Sequence, residues 1–576
     1  MIDLVRQLKN RITEIGPSRV IGRLIVLWQF FSVLLLSIGV WPQEIAIVNL
    51  GLLAVYIILV PTFEALLVLI LSLPFYIALP SPFIVGLPFW RPLFLLTGLV
   101  WFFRLLWQLR GQFANYSFRQ IIFYQVETDK TMKRFLPWDW LFGLLVLFMV
   151  SSLLWARFPI HGLRQIIFLF NIWIIYFLTV QVINKKEQIL SVIRHLVGAT
   201  GIIIAIGYVQ FIATLFTDQY YFWQYWATWV SQAYYGNGLA EVLKYSNSWF
   251  SEGSAGKSLR MFSIMPDSHS FAMISVLAMG LLLPLLYQYP QSVKGLWKTI
   301  TSRAYWLWYG IRLAGLALIL SGTRAMWVGM IPPMLISAAA YLLNWSRPVM
   351  RKLLVSYFLI LLLFIVSPLI NRGLAIIRSN GFQENFIERA KTIYDLQEQS
   401  NQGRLIIWEE SLRFAANHPL GVGYGNFIVS LVGDIPEQAS YEQLSQVKNL
   451  RYNLPRKFVS AHSLYLQLVV ETGIIGLGLF IWLWLYIGRE VWRFLHQAQG
   501  IYNTYTTFIY SAVFIVLWFL AAAVFDITLL NDKVLIITMI IIALSGIIVR
   551  YFYQQQLDKD VQPKSLPQKA DKYGII

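Results

Sequence analysis

Four short stretches hold residue types from which chemistry can be built. "LRMFSIMPDSHSF" at 259–271 carries Arg260, Asp267 and His269. "LSGTRAMW" at 320–327 carries Arg324. "GRLIIWEESLRFAANHPLGVGYGNF" at 403–427 carries Arg404, Trp408 and His418. "SAHSLYLQLVVETGIIGLG" at 460–478 carries His462, Tyr465 and Glu471. Arginine presents a planar fork of donors suited to anionic oxygens. Histidine titrates near pH 6.5 and accepts a proton at neutral pH. Anion binding and proton transfer are therefore the chemistry on offer. Each residue also has a plainer reading. An arginine near the end of a membrane span can snorkel, a loop histidine can simply hydrogen-bond, and His418 before Pro419 can close a helix.

The elements that position these residues follow from composition. The chain is 58% hydrophobic and only 13% charged, about half the charge of a soluble domain. Apolar runs near the 20 residues or so needed to cross a bilayer recur along it. This predicts an all-α polytopic membrane protein with 12–14 transmembrane helices. The first twenty residues are polar and basic, and no cleavable signal is expected. Cysteine is absent, which removes disulfides and thiol chemistry. The net charge of +18 sits mainly in short loops between apolar runs and reads as a topology signal, not a nucleic-acid surface.

Spans are expected near 20–41, 44–60, 62–80, 86–106, 137–157, 165–184, 189–217, 270–289, 304–321, 325–343, 352–371, 463–487, 507–530 and 534–551. With the N-terminus inside, the basic segment 107–136, "NKKEQ" at 184–188, Lys294, Lys298 and Arg303, "RPVMRK" at 347–352, Arg489 and Arg493 all fall on one face, as the positive-inside rule asks. Both termini are then cytoplasmic. The chain divides into an N-terminal part (1–136), a first core part (137–371), a long extracytoplasmic loop (372–462), C-terminal spans (463–552) and a disordered tail (553–576).

All four stretches lie at the outer face in this topology. The long loop is expected to be partly helical, with helices in "FIERAKTIYDL" and "RLIIWEESLRFAA". The second should end before Pro419, which disfavours helix at the residue preceding it. Glu471 admits two geometries. A helix starting at His462 would put it ~13 Å deeper at 1.5 Å per residue, where a carboxylate is costly and functional by default. A break at "TG" would leave it at the interface, and this second geometry is slightly preferred. The histidines are scattered without HExxH, and no GxxxxGK[ST] or GxSxG occurs. No metal site and no cofactor are expected.

In succession, "SGTRAMWVG", "GRLIIWEESLRFAANHPLGVGYGNF" and "SAHSLYLQLVVETGIIGLGLF" resemble the motifs of the O-antigen ligase and polymerase (Wzy-C type) family, and "RMFSIMPDSHSFA" is similar to its preceding segment. The resemblance covers about 259–480. Ser463 stands where the family usually has Asn, Pro266-Asp267 stands where a Pro-Asn pair is usual, and the four N-terminal spans exceed a minimal member.

The resemblance implies a GT-C-like membrane glycosyltransferase of surface polysaccharide synthesis. It would move a glycan from a polyprenyl (undecaprenyl) diphosphate carrier to a glycan, lipid or protein acceptor at the outer face of a bacterial inner membrane, inverting the anomeric centre without metal. Its expected catalytic residues are His462, Arg404, Arg324 and Glu471. Arg260, His269, Trp408, His418 and Tyr465 are expected to bind substrate. Arginine suits the departing diphosphate, and His462 suits the acceptor proton. Glu471 would orient His462 or act as the base. Two rivals stand: a transporter of bicarbonate or another small solute, suggested by Arg23, Glu64 and Arg91 within apolar stretches, and a non-catalytic envelope assembly factor.

Overall fold

A computed structural model describes residues 16–80, 88–110, 124–127, 130–133, 135–244, 249–253, 256–288, 302–377, 386–427, 430, 460–527 and 530–561. Helices dominate them: α1 (Pro17–Ser37), α2 (Ile45–Leu59), α3 (Thr62–Leu71), α4 (Trp90–Leu109), α5 (Asp139–Ser151), α6 (Pro159–Val182), α7 (Lys186–Phe216), α8 (Gln219–Tyr225), α9 (Ser231–Lys244), α10 (Ser268–Leu285), α11 (Arg303–Leu320), α12 (Arg324–Gly329), α13 (Ile331–Leu342), α14 (Arg347–Ile377), α15 (Phe386–Lys391), α16 (Gln399–Asn417), α17 (Leu464–Gln497), α18 (Thr504–Ala522) and α19 (Asp532–Val561). Two antiparallel hairpins, Tyr124–Glu127 with Lys130–Lys133 and Phe250–Gly253 with Gly256–Leu259, are the only paired strands among the described residues.

Nine described helices, counting α12–α13 as one, are long and apolar enough to cross a membrane. Each of the fourteen expected spans contains helix. The chain is an all-α polytopic membrane protein. The expectation for 62–80 needs correction: α3 ends at Leu71, and a 3-10 turn with Pro74 follows, because proline lacks the N–H that would continue the ladder. The tail boundary at 553 also moves, since α19 continues to Val561 through "QQQLDKD", whose Gln, Leu and Lys are good helix formers. The readings for 1–15, most of 107–136, Lys294, Lys298 and 562–576 lie outside the described residues. So do 378–385, 428–429 and 431–459 of the long loop. Within that loop α15 and α16 form where helical spacing predicts, and α16 stops at Asn417 before His418-Pro419.

The core is organised around α10. Nearly every residue of this helix is buried, whereas most other spans keep apolar side chains exposed, as lipid-facing helices do. It packs on α7, α11 and α18. The N-terminal helices join this body through α3 on α7 and α4 on α6. Glu64 lies in the first turn of α3 and pairs with Arg19 at 2.9 Å. Arg91 lies in the first turn of α4. Two of the charges behind the transporter reading thus sit at helix ends instead of mid-span.

Candidate functional site

The start of α10 supplies the first part of the site. Asp267 caps the helix by accepting from the Ser270 N–H (2.7 Å) and hydroxyl (2.9 Å). The cap holds His269 at the helix entrance, where its Nδ1 pairs with Oδ2 of Asp526. The preceding segment is pinned by Gln210 of α7. Its amide donates to the Arg260 carbonyl (3.1 Å) and its oxygen accepts from Phe262 (3.1 Å) and Ser263 (2.7 Å). The Arg260 guanidinium reaches the Ser268 hydroxyl at 3.4 Å. Sequence motif, cap and pinned segment therefore deliver one cation and one imidazole to the same helix end.

His462 arrives from the other side of the bundle. Its φ of 47° puts a non-glycine residue in the left-handed region, which is uncommon and worth noting as local strain. Ser463 then caps α17, and Leu464 N–H bonds the Ala523 carbonyl at 2.9 Å. This ties the histidine to the segment carrying Asp526, three residues on. Burial pushes the His462 imidazole down to about 4; the carboxylate of Asp526 opposes that, while Arg404 and His269 add to it. Burial also lowers Arg404, with Asp526 again opposing. Asp526, only 5% exposed, is thus the shared negative charge of His269, His462 and Arg404.

Arg324 opens α12 and reaches into the long loop. It donates to the Thr392 carbonyl (3.1 Å) and hydroxyl (2.8 Å) and to Glu398 (3.1 Å). Glu398 in turn caps α16 through the Asn401 N–H, and Arg389 donates to the Gly322 carbonyl at 2.9 Å. Arg324 therefore docks the loop that carries Arg404, and it is itself an electrostatic neighbour of Arg404.

Glu471 lies elsewhere. The α17 ladder breaks at Gly473 (φ 64°), so the preferred geometry with a break at "TG" is the one found. The turn "HPLGVGYG" wraps that break. Val422 and Gly423 donate to the Val470 and Glu471 carbonyls (3.0 and 2.9 Å), and Ile474 donates to Pro419 (3.1 Å). A Cβ on Gly473 would sit 2.1 Å from the Pro419 carbonyl oxygen, so only glycine fits. The Glu471 carboxylate, 4% exposed, accepts from the Gly425 N–H (3.1 Å), the Gln467 amide (3.2 Å) and Phe427. None of these partners is His462. The same turn is held by three residues of the α5–α6 connection: the Trp155 indole donates to the Gly421 carbonyl, the Ser152 hydroxyl accepts from the Tyr424 N–H, and the Phe158 N–H donates to the Asn426 side-chain oxygen.

Trp408 donates to the Ala461 carbonyl (3.1 Å), beside His462 in sequence, and its ring lies 6.0 Å from Phe525. Tyr465 donates to the Leu520 carbonyl (2.8 Å). His418 is exposed at the end of α16, stacked on Phe414 with its Nδ1 at the Phe414 carbonyl (3.0 Å). The fold thus gathers His269, His462 and Arg404, with Arg324 behind them. It sets Glu471 and His418 apart, each in a helix-ending contact. Sequence reasoning misses Asp526 and Glu398. Asp526 carries a signal: it falls inside the expected span 507–530, where a carboxylate is functional by default. Among the described residues no group of three or more His, Asp or Glu is arranged to hold a metal ion.

Residues 309–481 match the family model described as O-antigen ligase (Wzy_C). That family acts in membrane glycan transfer for surface polysaccharide synthesis. The match covers Arg324, Arg404, His418, His462 and Glu471, while Arg260, His269 and Asp526 lie outside it. A search of curated proteins returned no match.

Proposed function

We propose that this chain transfers a glycan from a polyprenyl diphosphate carrier to an acceptor hydroxyl, as an inverting glycosyltransferase at the outer face of a bacterial inner membrane, with a GT-C-like helical body. The observation that carries this reading is the convergence of His462, His269 and Arg404 on Asp526 at one end of the bundle. The acceptor oxygen attacks the anomeric carbon from the side opposite the carrier. The bond from that carbon to the phosphate oxygen breaks, and the lipid diphosphate leaves with the electron pair. The hydroxyl proton passes to His462.

Each residue has a role in that step. His462 is neutral at pH 7, as a base must be. The diphosphate, once bound, adds negative charge beside the ring and strengthens its hold on a proton. Arg404 neutralises the charge that grows on the leaving phosphate, and such fixed electrostatic stabilisation needs no metal. Arg260 adds a second guanidinium from the α10 side. Asp526 orients His269 and favours the protonated His462 that forms. Arg324 keeps the loop docked so that Arg404 stays in place. Trp408 and Tyr465 hold the backbone on either side of His462 and serve binding indirectly.

The test is glycan output in a deletion strain carrying wild type, His462→Ala or Arg404→Ala, with membrane levels of each checked. Short carrier-linked glycan should accumulate in both variants while long surface glycan disappears. Unchanged surface glycan with stable variants would overturn the reading. The acceptor that remains unmodified distinguishes ligase from polymerase.

A further inference from the structure

At the same end of the bundle as His269–Asp526 lies a second cluster of charge that the transfer reaction does not use. Asp532 begins α19, six residues after Asp526. Its Oδ2 accepts from the Trp90 indole at 3.0 Å and its Oδ1 from the Lys533 N–H at 2.7 Å. Two cations face this one carboxylate. Lys533 is only 2% exposed. Its ammonium lies 5.6 and 5.5 Å from the ring centres of Tyr234 and Tyr235. Arg91 has Asp532 as its charged neighbour and lies 5.5 and 5.4 Å from the rings of Trp90 and Phe168. Among the described residues, Nε of Arg91 is fully buried with no hydrogen-bonded partner, and Lys533 has Asp532 as its charged neighbour.

A buried cationic donor without a partner is costly. Both Asp532 oxygens already accept other donors, so the cluster carries an excess positive charge and a free donor. The pair is suited to an anion with several oxygens. The surroundings say where that anion comes from. From Arg91 the same face of α4 runs on through Leu95 and Leu99, 41% and 54% exposed, at the four-residue spacing of a helical stripe. A headgroup at Arg91 thus has an apolar track for its chain directly below.

We infer that Arg91 and Lys533 form a binding site for a lipid-borne phosphate, with Trp90, Tyr234 and Tyr235 as its walls and α4 as the seat of the acyl or prenyl chain. The site is distinct from the Arg404 site and stands whether or not the transfer reaction is correct. It gives the N-terminal helices a role in ligand binding. Helix α4 supplies Arg91, and Tyr234 and Tyr235 come from α9, whose Ala233 carbonyl accepts from the Ala78 N–H and from the Gln43 amide. Tyr235 also donates to the Ile264 carbonyl at 2.7 Å, in the turn that leads to Asp267.

The test is native mass spectrometry of the full chain in detergent, titrated separately with phosphatidylglycerol, phosphatidylcholine and a polyprenyl monophosphate. Arg91→Gln and Lys533→Met are compared with Lys533→Arg, and thermal unfolding reports their folding. Retained lipid should fall at least tenfold in Arg91→Gln and Lys533→Met and recover in Lys533→Arg. Preference for polyprenyl phosphate assigns a carrier site, and preference for phosphatidylglycerol over phosphatidylcholine assigns a membrane-lipid site. Equal retention by wild type and by folded Arg91→Gln overturns the proposal. So does retention that ignores headgroup charge.

Discussion

At the residue scale the site turns on one carboxylate serving three neighbours. Removing the Asp526 charge takes away what opposes the burial of His462 and Arg404 and the partner of His269. Asp526→Asn should lower the transfer rate by about 10²–10⁴-fold, the usual range for a disabled acid–base unit, with donor binding less affected; rates and donor affinity measured side by side on the purified variant check this. The pH profile is a second consequence. An ordinary histidine base would give kcat/KM an acid limb near 6.5. His462 is held down to about 4, and the base is active only when deprotonated. Activity should therefore remain on its plateau through pH 6 and fall only as pH approaches 4. A limb at 6.5 would show that another group is the base.

At the element scale the glycine turn and the break in α17 form one unit. Gly473→Ala puts a Cβ against the Pro419 carbonyl and demands φ near 64°. The left-handed conformation alone costs about 1–2 kcal/mol, and the clash adds to it, so the variant should unfold at markedly lower temperature. Glu471→Gln probes a different function. Its carboxylate accepts backbone N–H groups of the same turn, so the loss should appear as reduced stability, with the pH profile of transfer unchanged. Loop docking has its own test. Arg324→Ala and Glu398→Ala in a double-mutant cycle should couple by about 0.5–3 kcal/mol, since their side chains meet at 3.1 Å. Additive effects would mean that the ion pair does not hold the loop.

At the scale of the whole molecule, much is legible from periodicity and charge. Helices α15 and α16 follow apolar spacing in the loop. The end of α16 follows from Pro419, and the break at Gly473 follows from the "TG" pair. What is not legible depends on contacts between distant segments. Asp526 and His269 are far apart in sequence and meet only because α10 packs against α18. A shared motif suggests Glu471 as a partner of His462, but the break turns its carboxylate to the glycine turn. The 62–80 run looks continuous by hydropathy, which does not register that Pro74 ends the ladder. The N-terminal helices can be counted from sequence, but their tie to Asp532 through Trp90 cannot be read there.

The central claim is that His462 and Arg404 act on a carrier-linked glycan. The most direct measurement is transfer by the purified full chain in lipid nanodiscs, supplied with polyprenyl diphosphate-linked glycan and an acceptor, with donor binding measured in parallel. Wild type should form product, His462→Ala should bind donor yet turn over at least a hundredfold more slowly, and Arg404→Ala should lose donor affinity. Product formation at wild-type rates by both folded variants would contradict the claim.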